Sequence, residues 1–313
     1  MTQLSKTSRR IAAIGAALCL AALTAAAQPA AKQADDEDPG LTFQAGTKEV
    51  VLYTAVLDSS EHFVTDLPQS AFKVYEEDVL QELKYFRRQD VPVSLGILVD
   101  NSGSMRDKRR QVNTAAVDFV KASNPKDEAF IVNFNDEGFL DSPFTSDVPR
   151  LQDALQRIDA RGGTALYDAV GMSLDYLKEK AKWDKRVLLI VTDGEDNASM
   201  LDLERLVRRL QEGDTVIYAV GLLSEEDRRS AKRATRAVRN IVRATGGAAF
   251  FPKSVDEVHD IAQKVAEDIR SQYILAYTPA APAAGATFRR VRVVLSGKAG
   301  KKLQVRHRPG YYY

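Results

Sequence analysis

The stretch Val93-Ser-Leu-Gly-Ile-Leu-Val-Asp-Asn-Ser-Gly-Ser-Met105 changes character halfway along its length. Its first part, residues 93–99, is mostly apolar and rich in β-branched side chains, which is typical of a strand buried on both faces in a parallel sheet. The polar residues Asp100, Ser102 and Ser104 follow, and apolar side chains at helical spacing come after them. Because open α/β sheets bind ligands at the carboxyl ends of their strands, we expect a site in this loop.

Two later stretches supply further oxygen ligands. Arg161-Gly-Gly-Thr-Ala-Leu-Tyr-Asp168 opens a helix with a glycine pair that lets the Thr164 hydroxyl approach its neighbours closely. Arg186-Val-Leu-Leu-Ile-Val-Thr-Asp193 reads as a second buried strand that ends in a carboxylate. Carboxylates and hydroxyls are hard donors, so together these stretches predict an oxygen-rich cation site.

This pattern resembles the metal-ion-dependent adhesion site of the von Willebrand factor A domain. Asp100-x-Ser102-x-Ser104, then Thr164, then Asp193 in a Thr-Asp-Gly context fill all five positions of that motif in the right order. The resemblance implies that these five residues bind a divalent cation directly or through water. It also implies that an acidic residue of a protein partner completes the coordination. Mg²⁺ is the favoured ion, with Mn²⁺ or Ca²⁺ as alternatives.

The middle of the chain alternates between predicted strands and predicted helices. The strands are expected at residues 93–99, 129–134, 187–192, 215–220 and 248–251, and the helices at 108–122, 148–159, 165–182, 199–211, 225–244 and 255–271. Such alternation predicts a doubly wound, mostly parallel sheet with helices on both faces. The resemblance to the A domain implies the same Rossmann-like fold over residues 91–271.

Residues 41–90 and 272–313 show the two-residue period of antiparallel strands instead. Strands are expected at 50–57, 72–76 and 79–86 before the α/β region, and at 273–278, 288–295 and 303–308 after it. About three strands alone bury too little surface to be stable. We therefore predict that the two flanks pack together as one small β-sandwich-like domain.

A second resemblance covers nearly the whole of the chain after its N-terminal segment. Bacterial secreted proteins related to the A domain are similar in three stretches: Leu67-x-x-x-x-Phe72, Gly-Gly-Thr-Ala-Leu-Tyr-Asp-Ala and Arg308-Pro-Gly-Tyr311. This likeness lengthens the match but implies little about function.

The N-terminus has the three-part pattern of a secretory signal. Basic residues precede an apolar, alanine-rich run, and a cut before Gln28 would remove residues 1–27, including Cys19, the single cysteine. We expect a secreted or periplasmic protein without disulfides, an uncleaved membrane anchor being the alternative. Residues 28–40 are acidic and proline-containing, which predicts a disordered linker. Without residues 1–27 the net charge is about −2, which gives no global attraction to nucleic acid or anionic membranes.

Four other interpretations of the site are open from the sequence. Asp100 and Asp193 could simply cap helices. A phosphoryl-transfer enzyme would need a carboxylate at Ser102, and a serine hydrolase would need a base from His62, His259 or His307, none of which lies in a loop that obviously faces the site. The chain could also be a structural or assembly subunit with a vestigial metal site. We expect a non-enzymatic binding protein.

A basic helix is predicted after residue 225. Its cationic residues are Arg228, Arg229, Lys232, Arg233, Arg236, Arg239 and Arg243. These residues could form a docking strip for an anionic surface. The preferred interpretation is a solvated face that is partly paired with Glu225, Glu226 and Asp227. Nucleic acid is not expected as a partner because no aromatic residues are interleaved to stack on bases.

Overall fold

The computed structural model describes residues 49–88, 90–156, 160–223, 228–280, 287–297 and 302–313. The predicted signal segment 1–27 and linker 28–40 lie outside these residues. Among the described residues, none of the helices combines the length and the apolar character that a membrane span requires.

The described residues form fourteen strands and six α-helices. The strands are β1 (Val50–Leu57), β2 (Phe72–Glu76), β3 (Val79–Gln81), β4 (Tyr85–Arg87), β5 (Val93–Asp100), β6 (Glu128–Phe134), β7 (Gly138–Thr145), β8 (Lys185–Thr192), β9 (Val216–Gly221), β10 (Ala249–Phe250), β11 (Tyr273–Tyr277), β12 (Phe288–Leu295), β13 (Gln304–Arg306) and β14 (Gly310–Tyr312). The helices are α1 (Arg109–Lys121), α2 (Val148–Gln156), α3 (Leu166–Lys180), α4 (Leu203–Glu212), α5 (Arg228–Thr245) and α6 (Val258–Arg270).

A six-stranded sheet in the order β10-β9-β8-β5-β6-β7 organises the α/β body. All pairs are parallel except β6 with β7. Alternate residues of β5 enter two cores: Ile97 packs with α1, α2 and α6 on one face, and Leu98 packs with α3, α4 and α5 on the other. The predicted doubly wound fold class is therefore confirmed.

Strand β7 was not predicted from the sequence. It contains Pro143, pairs with β6 through two register shifts, and exposes Phe139 and Leu140. Proline is tolerated at a sheet edge, where its missing N–H leaves no ladder bond unmade. An irregular, half-exposed edge strand lacks the regular periodicity on which sequence reading depends.

The flanks form two four-stranded sheets, β13-β1-β11-β4 and β14-β12-β2-β3. Their facing sides share one core, in which the rings of Phe72 and Tyr273 lie 4.7 Å apart. The strand predicted over residues 79–86 is wrong as a single element. Its first half is β3, which pairs with β2, and its end belongs to β4, which pairs with β11 in the opposite sheet. Leu83, in the crossing segment, packs against the sandwich core.

Strand β1 joins the sandwich to the α/β body because both of its faces are buried. Leu52 points into the sandwich core, whereas Val51 and Tyr53 belong to the core of the α/β body. On the paired strand β11, Leu275 and Ile274 divide in the same way. The sheet is therefore a shared layer between the two bodies.

Buried polar groups add a second connection at this boundary. Arg306 of β13 forms an ion pair with Asp268 of α6, and the Lys185 ammonium donates to the carbonyl of Ile269. Lys185 is 3% exposed, and burial lowers its pKa to about 8.

The depressed pKa of Lys185 predicts a dependence of stability on pH. Between the folded pKa and the usual unfolded value, the unfolded chain binds more protons, so the free energy of unfolding should rise with pH. From pH 8 to 10 the rise due to this group should be about 2 kcal/mol. Lys185→Met should remove it. Urea titrations of both proteins across this range measure the effect. Lys178→Met, at an exposed lysine, is the control and should retain the rise; a rise that persists in Lys185→Met contradicts the assignment.

Candidate metal centre

Asp100 lies at the end of β5, beside the end of the parallel neighbour β8. Its carboxylate is fully buried and accepts two hydrogen bonds, one from the Thr192 hydroxyl at 2.6 Å and one from the backbone N–H of Ser102 at 2.8 Å. Burial raises the pKa of Asp100, the two donors oppose that rise, and the charge of Asp193 adds to it. A nearby cation would favour the ionised form.

The two serines and Asp193 form a chain of oxygens. The hydroxyls of Ser102 and Ser104 are 3.2 Å apart, and Ser104 donates to Oδ1 of Asp193 at 2.8 Å. Asp193 directly follows β8, so the two parallel strand ends bring together residues that are far apart in sequence.

Thr164 is positioned by the glycine pair before α3. Gly162 has a φ of +73°, and a Cβ there would lie 2.0 Å from the Asp136 carboxylate, which accepts a hydrogen bond from the N–H of Gly163 at 2.7 Å. The N–H of Thr164 donates to the Asn197 side chain at 2.9 Å. The Thr164 hydroxyl lies 3.4 Å from where a Cβ on Gly194 would be, and so lies next to Asp193.

Four of the five predicted ligands line one cleft of about 280 Å³. They are Ser102, Ser104, Thr164 and Asp193, and the buried Asp100 is joined to them through Ser102. The structure thus brings together the residues that the sequence singled out.

The donor set fits a hard divalent cation. Mg²⁺ takes six oxygens at about 2.0–2.1 Å, which places neighbouring ligand oxygens about 2.9 Å apart. The oxygen separations of 2.8 and 3.2 Å in the cluster are close to that spacing. Among the described residues there is no cluster of three or more His, Cys, Asp or Glu side chains that could hold a metal. The fit therefore depends on hydroxyls as much as on carboxylates.

Helix capping does not account for the two carboxylates. The residue that precedes α1 is Lys108, and it makes no side-chain cap. The carboxylate of Asp193 accepts from the Ser104 hydroxyl and the Lys108 ammonium, and the N–H of Ser102 that donates to Asp100 lies outside any α-helix.

Lys108 is a residue of the site that sequence reasoning missed. Its ammonium lies 2.5 Å from Oδ2 of Asp193 and 3.3 Å from the carbonyl of Leu222. The side chain of Asp193 is 1% exposed and that of Lys108 is 24% exposed. Lys108 thus places a positive charge on the carboxylate that the cation would bind. Its position just before α1, one turn after the serines, was the available signal.

Glu195 connects the cleft to helix α5. Its carboxylate accepts from Arg233 at 2.6 Å and from the Ser230 hydroxyl at 3.1 Å, and Ala231 and Ala234 of α5 also line the cleft. The acidic residues expected to pair with this helix, 225–227, lie outside the described residues. Within those residues, Arg233 pairs with Glu195 instead.

These features define a doubly wound α/β domain with an oxygen-rich site at the carboxyl ends of its central strands. Residues 95–195 match the family model described as von Willebrand factor type A domain, so the resemblance seen in the motifs is confirmed for the central part of the α/β body. No match was found among curated proteins.

Two solved structures show the same fold. The first is a von Willebrand factor type A protein from Catenulispora acidiphila, at 13% identity and a TM-score of 0.50, with 86% of this chain and 74% of that one covered. The second is proximal thread matrix protein 1 from the mussel byssus, described with a zinc-occupied MIDAS motif. Its identity is 15% and its TM-score 0.50, and the match covers 62% of this chain and half of that one. At such identities the likeness concerns the fold.

Gly162→Ala should destabilise the site loop by two separable effects. A Cβ in the left-handed region costs about 1–2 kcal/mol, and displacing Asp136 from Gly163 should cost about 1 kcal/mol more. Gly297→Ala is a matched control, since its φ is +85° and a Cβ there meets nothing within 4 Å. Urea unfolding should show the larger loss for Gly162→Ala. Equal losses would mean that the contact with Asp136 is unimportant.

Lys108→Met should weaken the cation-free protein and strengthen cation binding. The buried Asp193 loses a charged donor, which should lower the free energy of unfolding by about 2 kcal/mol in EDTA. Mg²⁺ no longer competes with the ammonium, so its affinity by calorimetry should rise about tenfold. Lys121→Met, at an exposed lysine of α1, is the control. Unchanged Mg²⁺ affinity in Lys108→Met would show that Lys108 does not compete.

Proposed function

We propose that the α/β body is a cation-dependent protein-binding module. Asp100, Ser102, Ser104, Thr164 and Asp193 hold a divalent cation, with Mg²⁺ favoured, and the bound cation recruits an acidic side chain of a protein partner. The observation that carries the proposal is the cluster of carboxylate and hydroxyl oxygens at 2.8–3.2 Å that opens into a surface cleft.

The charge of the donor set favours binding of a partner carboxylate. Two carboxylates formally balance the charge of a dication, the three hydroxyls add none, and the ammonium of Lys108 beside Asp193 leaves the occupied site with a net positive charge. A partner carboxylate therefore interacts more favourably with the cation than the bound water that it replaces. The cleft gives a partner side chain access to the open side of this cluster.

The proposal does not include catalysis. The described residues that line the cleft include no histidine. His62 pairs with Asp58, His259 pairs with Asp118, and His307 accepts from the N–H of Val293 in the sandwich, so all three bases are engaged elsewhere. A serine in the cleft accordingly lacks a histidine to activate it.

Secretion or a periplasmic location is part of the same proposal. The pattern of residues 1–27 supports it. A domain that binds a partner through a free divalent cation in an exposed cleft fits that setting.

The domain limits 91–271 and 272–313 also remain predictions from the sequence.

Thermal unfolding in EDTA and then in Mg²⁺, Mn²⁺ or Ca²⁺ tests the cation site. A cation at about 100 times its Kd should add about 2.7 kcal/mol of stability, which raises the midpoint. Asp193→Ala should lose the increment, whereas Asp153→Ala, an exposed aspartate of α2, should retain it. No increment with any of the three ions would contradict the cation site and favour the structural-subunit interpretation.

Peptide selection on the immobilised protein tests the partner chemistry. Peptides recovered in Mg²⁺ and eluted by EDTA should contain an Asp or Glu, and changing that residue to Asn or Gln should abolish binding. Asp193→Ala should recover none of them. Peptides that need Mg²⁺ but no acidic residue would show that the cation does not recruit a carboxylate.

A further inference from the structure

Helix α5 carries a stripe of cations on its exposed face. Lys232, Arg236, Arg239 and Arg243 recur every three or four residues, so they lie on one side of the helix over about 16 Å. All four are exposed, and Arg239 also stacks on the ring of Phe251. Within the described part of the chain, Lys232, Arg236 and Arg243 make no ion pair.

The stripe forms one wall of a groove rather than a flat face. The opposite wall consists of Arg306, the last residue of β13, and the following His307, and the floor consists of the small residues 246–249. The groove has a volume of about 810 Å³, and none of the described residues that line it is acidic. A second cavity of about 680 Å³ adjoins the groove, since Arg243, Arg306 and His307 line both, but Asp78 also lines this second cavity.

The charge of the groove is separate from that of the metal cleft. Arg233 is paired with Glu195 of the cleft, and Arg306 is paired with the buried Asp268. The guanidinium groups of the three arginines in the stripe can therefore contact a ligand. These arginines are Arg236, Arg239 and Arg243. The planar fork of each guanidinium suits bidentate contact with a carboxylate.

We propose that this groove binds an extended acidic segment of a protein partner. An extended peptide places side chains of one face about 6.6 Å apart, so about three acidic residues could face the stripe. A flat bilayer could contact the exposed stripe on α5 but could not reach Arg306 or the floor of the groove, so it fits this groove less well than a peptide does. Nucleic acid would need aromatic rings free to stack on bases, but the ring of Phe251 beside the groove is covered by Arg239, and Tyr75 and Phe288 line only the second cavity.

This groove does not need a bound cation, which separates its test from that of the metal cleft. The probe is a fluorescein-labelled peptide of eight glutamates, and its anisotropy is measured with the full chain in EDTA at 50 and 200 mM salt. The wild-type protein should bind it saturably and more weakly at high salt. R236E/R239E/R243E should weaken binding at least tenfold.

Two further variants control the experiment. K121E/K178E/K264E makes the same change in charge at exposed lysines of α1, α3 and α6, and it should bind the peptide within twofold of wild type. R236A/R243A keeps the contact of Arg239 with Phe251, so it guards against a folding defect; it should still weaken binding severalfold.

Three results would overturn the proposal. They are equal losses in the groove and control variants, no saturable binding of the peptide, or tighter binding of phosphatidylglycerol vesicles or of an oligonucleotide that depends on the same arginines. Binding in EDTA that survives Asp193→Ala supports the groove whether or not the metal cleft is functional.

Discussion

The carboxylates of Asp100 and Asp193 stand at the ends of neighbouring parallel strands, and their mutual repulsion has to be balanced. The sheet fixes their positions, since β5 and β8 pair from Val93 with Lys185 up to Val99 with Val191, next to the two strand ends. Thr192, Ser102 and Ser104 supply hydrogen bonds, and Lys108 supplies a positive charge. The glycine pair before α3 brings the Thr164 hydroxyl next to the second of these carboxylates. A bound cation, as proposed above, would relieve the repulsion that remains between the two carboxylates.

Much of the fold could be predicted because its signals are local. Continuous apolar runs identified the parallel strands, and helical periodicity identified the helices between them. Where tertiary contacts decide, prediction failed. Helix α4 begins at Leu203 rather than at 199, because Asp202 caps it while Ser199 bonds Asp196. Residues 82–84 cross between two sheets because Leu83 packs in the sandwich core, a contact that no local sequence pattern predicts.

The site was predictable to a similar degree. The five oxygen ligands follow a motif with fixed order and context, so they could be named in advance, although their role in binding a cation stays a prediction. Lys108 and Glu195 belong to no such motif, since each contributes to the site through a contact with a residue distant in sequence. The same holds for the groove: the basic stripe was visible in the sequence, but its second wall comes from β13, at the other end of the chain.

Strand β1 also constrains the order of events during synthesis. Its partners β11 and β13 begin at Tyr273 and Gln304, so β1 leaves the ribosome long before anything exists for it to pair with. The α/β body is contiguous and can fold in the interval, whereas an apolar strand destined for burial on both faces must wait. Nascent chains of this protein therefore expose the apolar segment β1 until β11 and β13 emerge. Chaperone protection of that segment would matter more here than for an A-type domain alone.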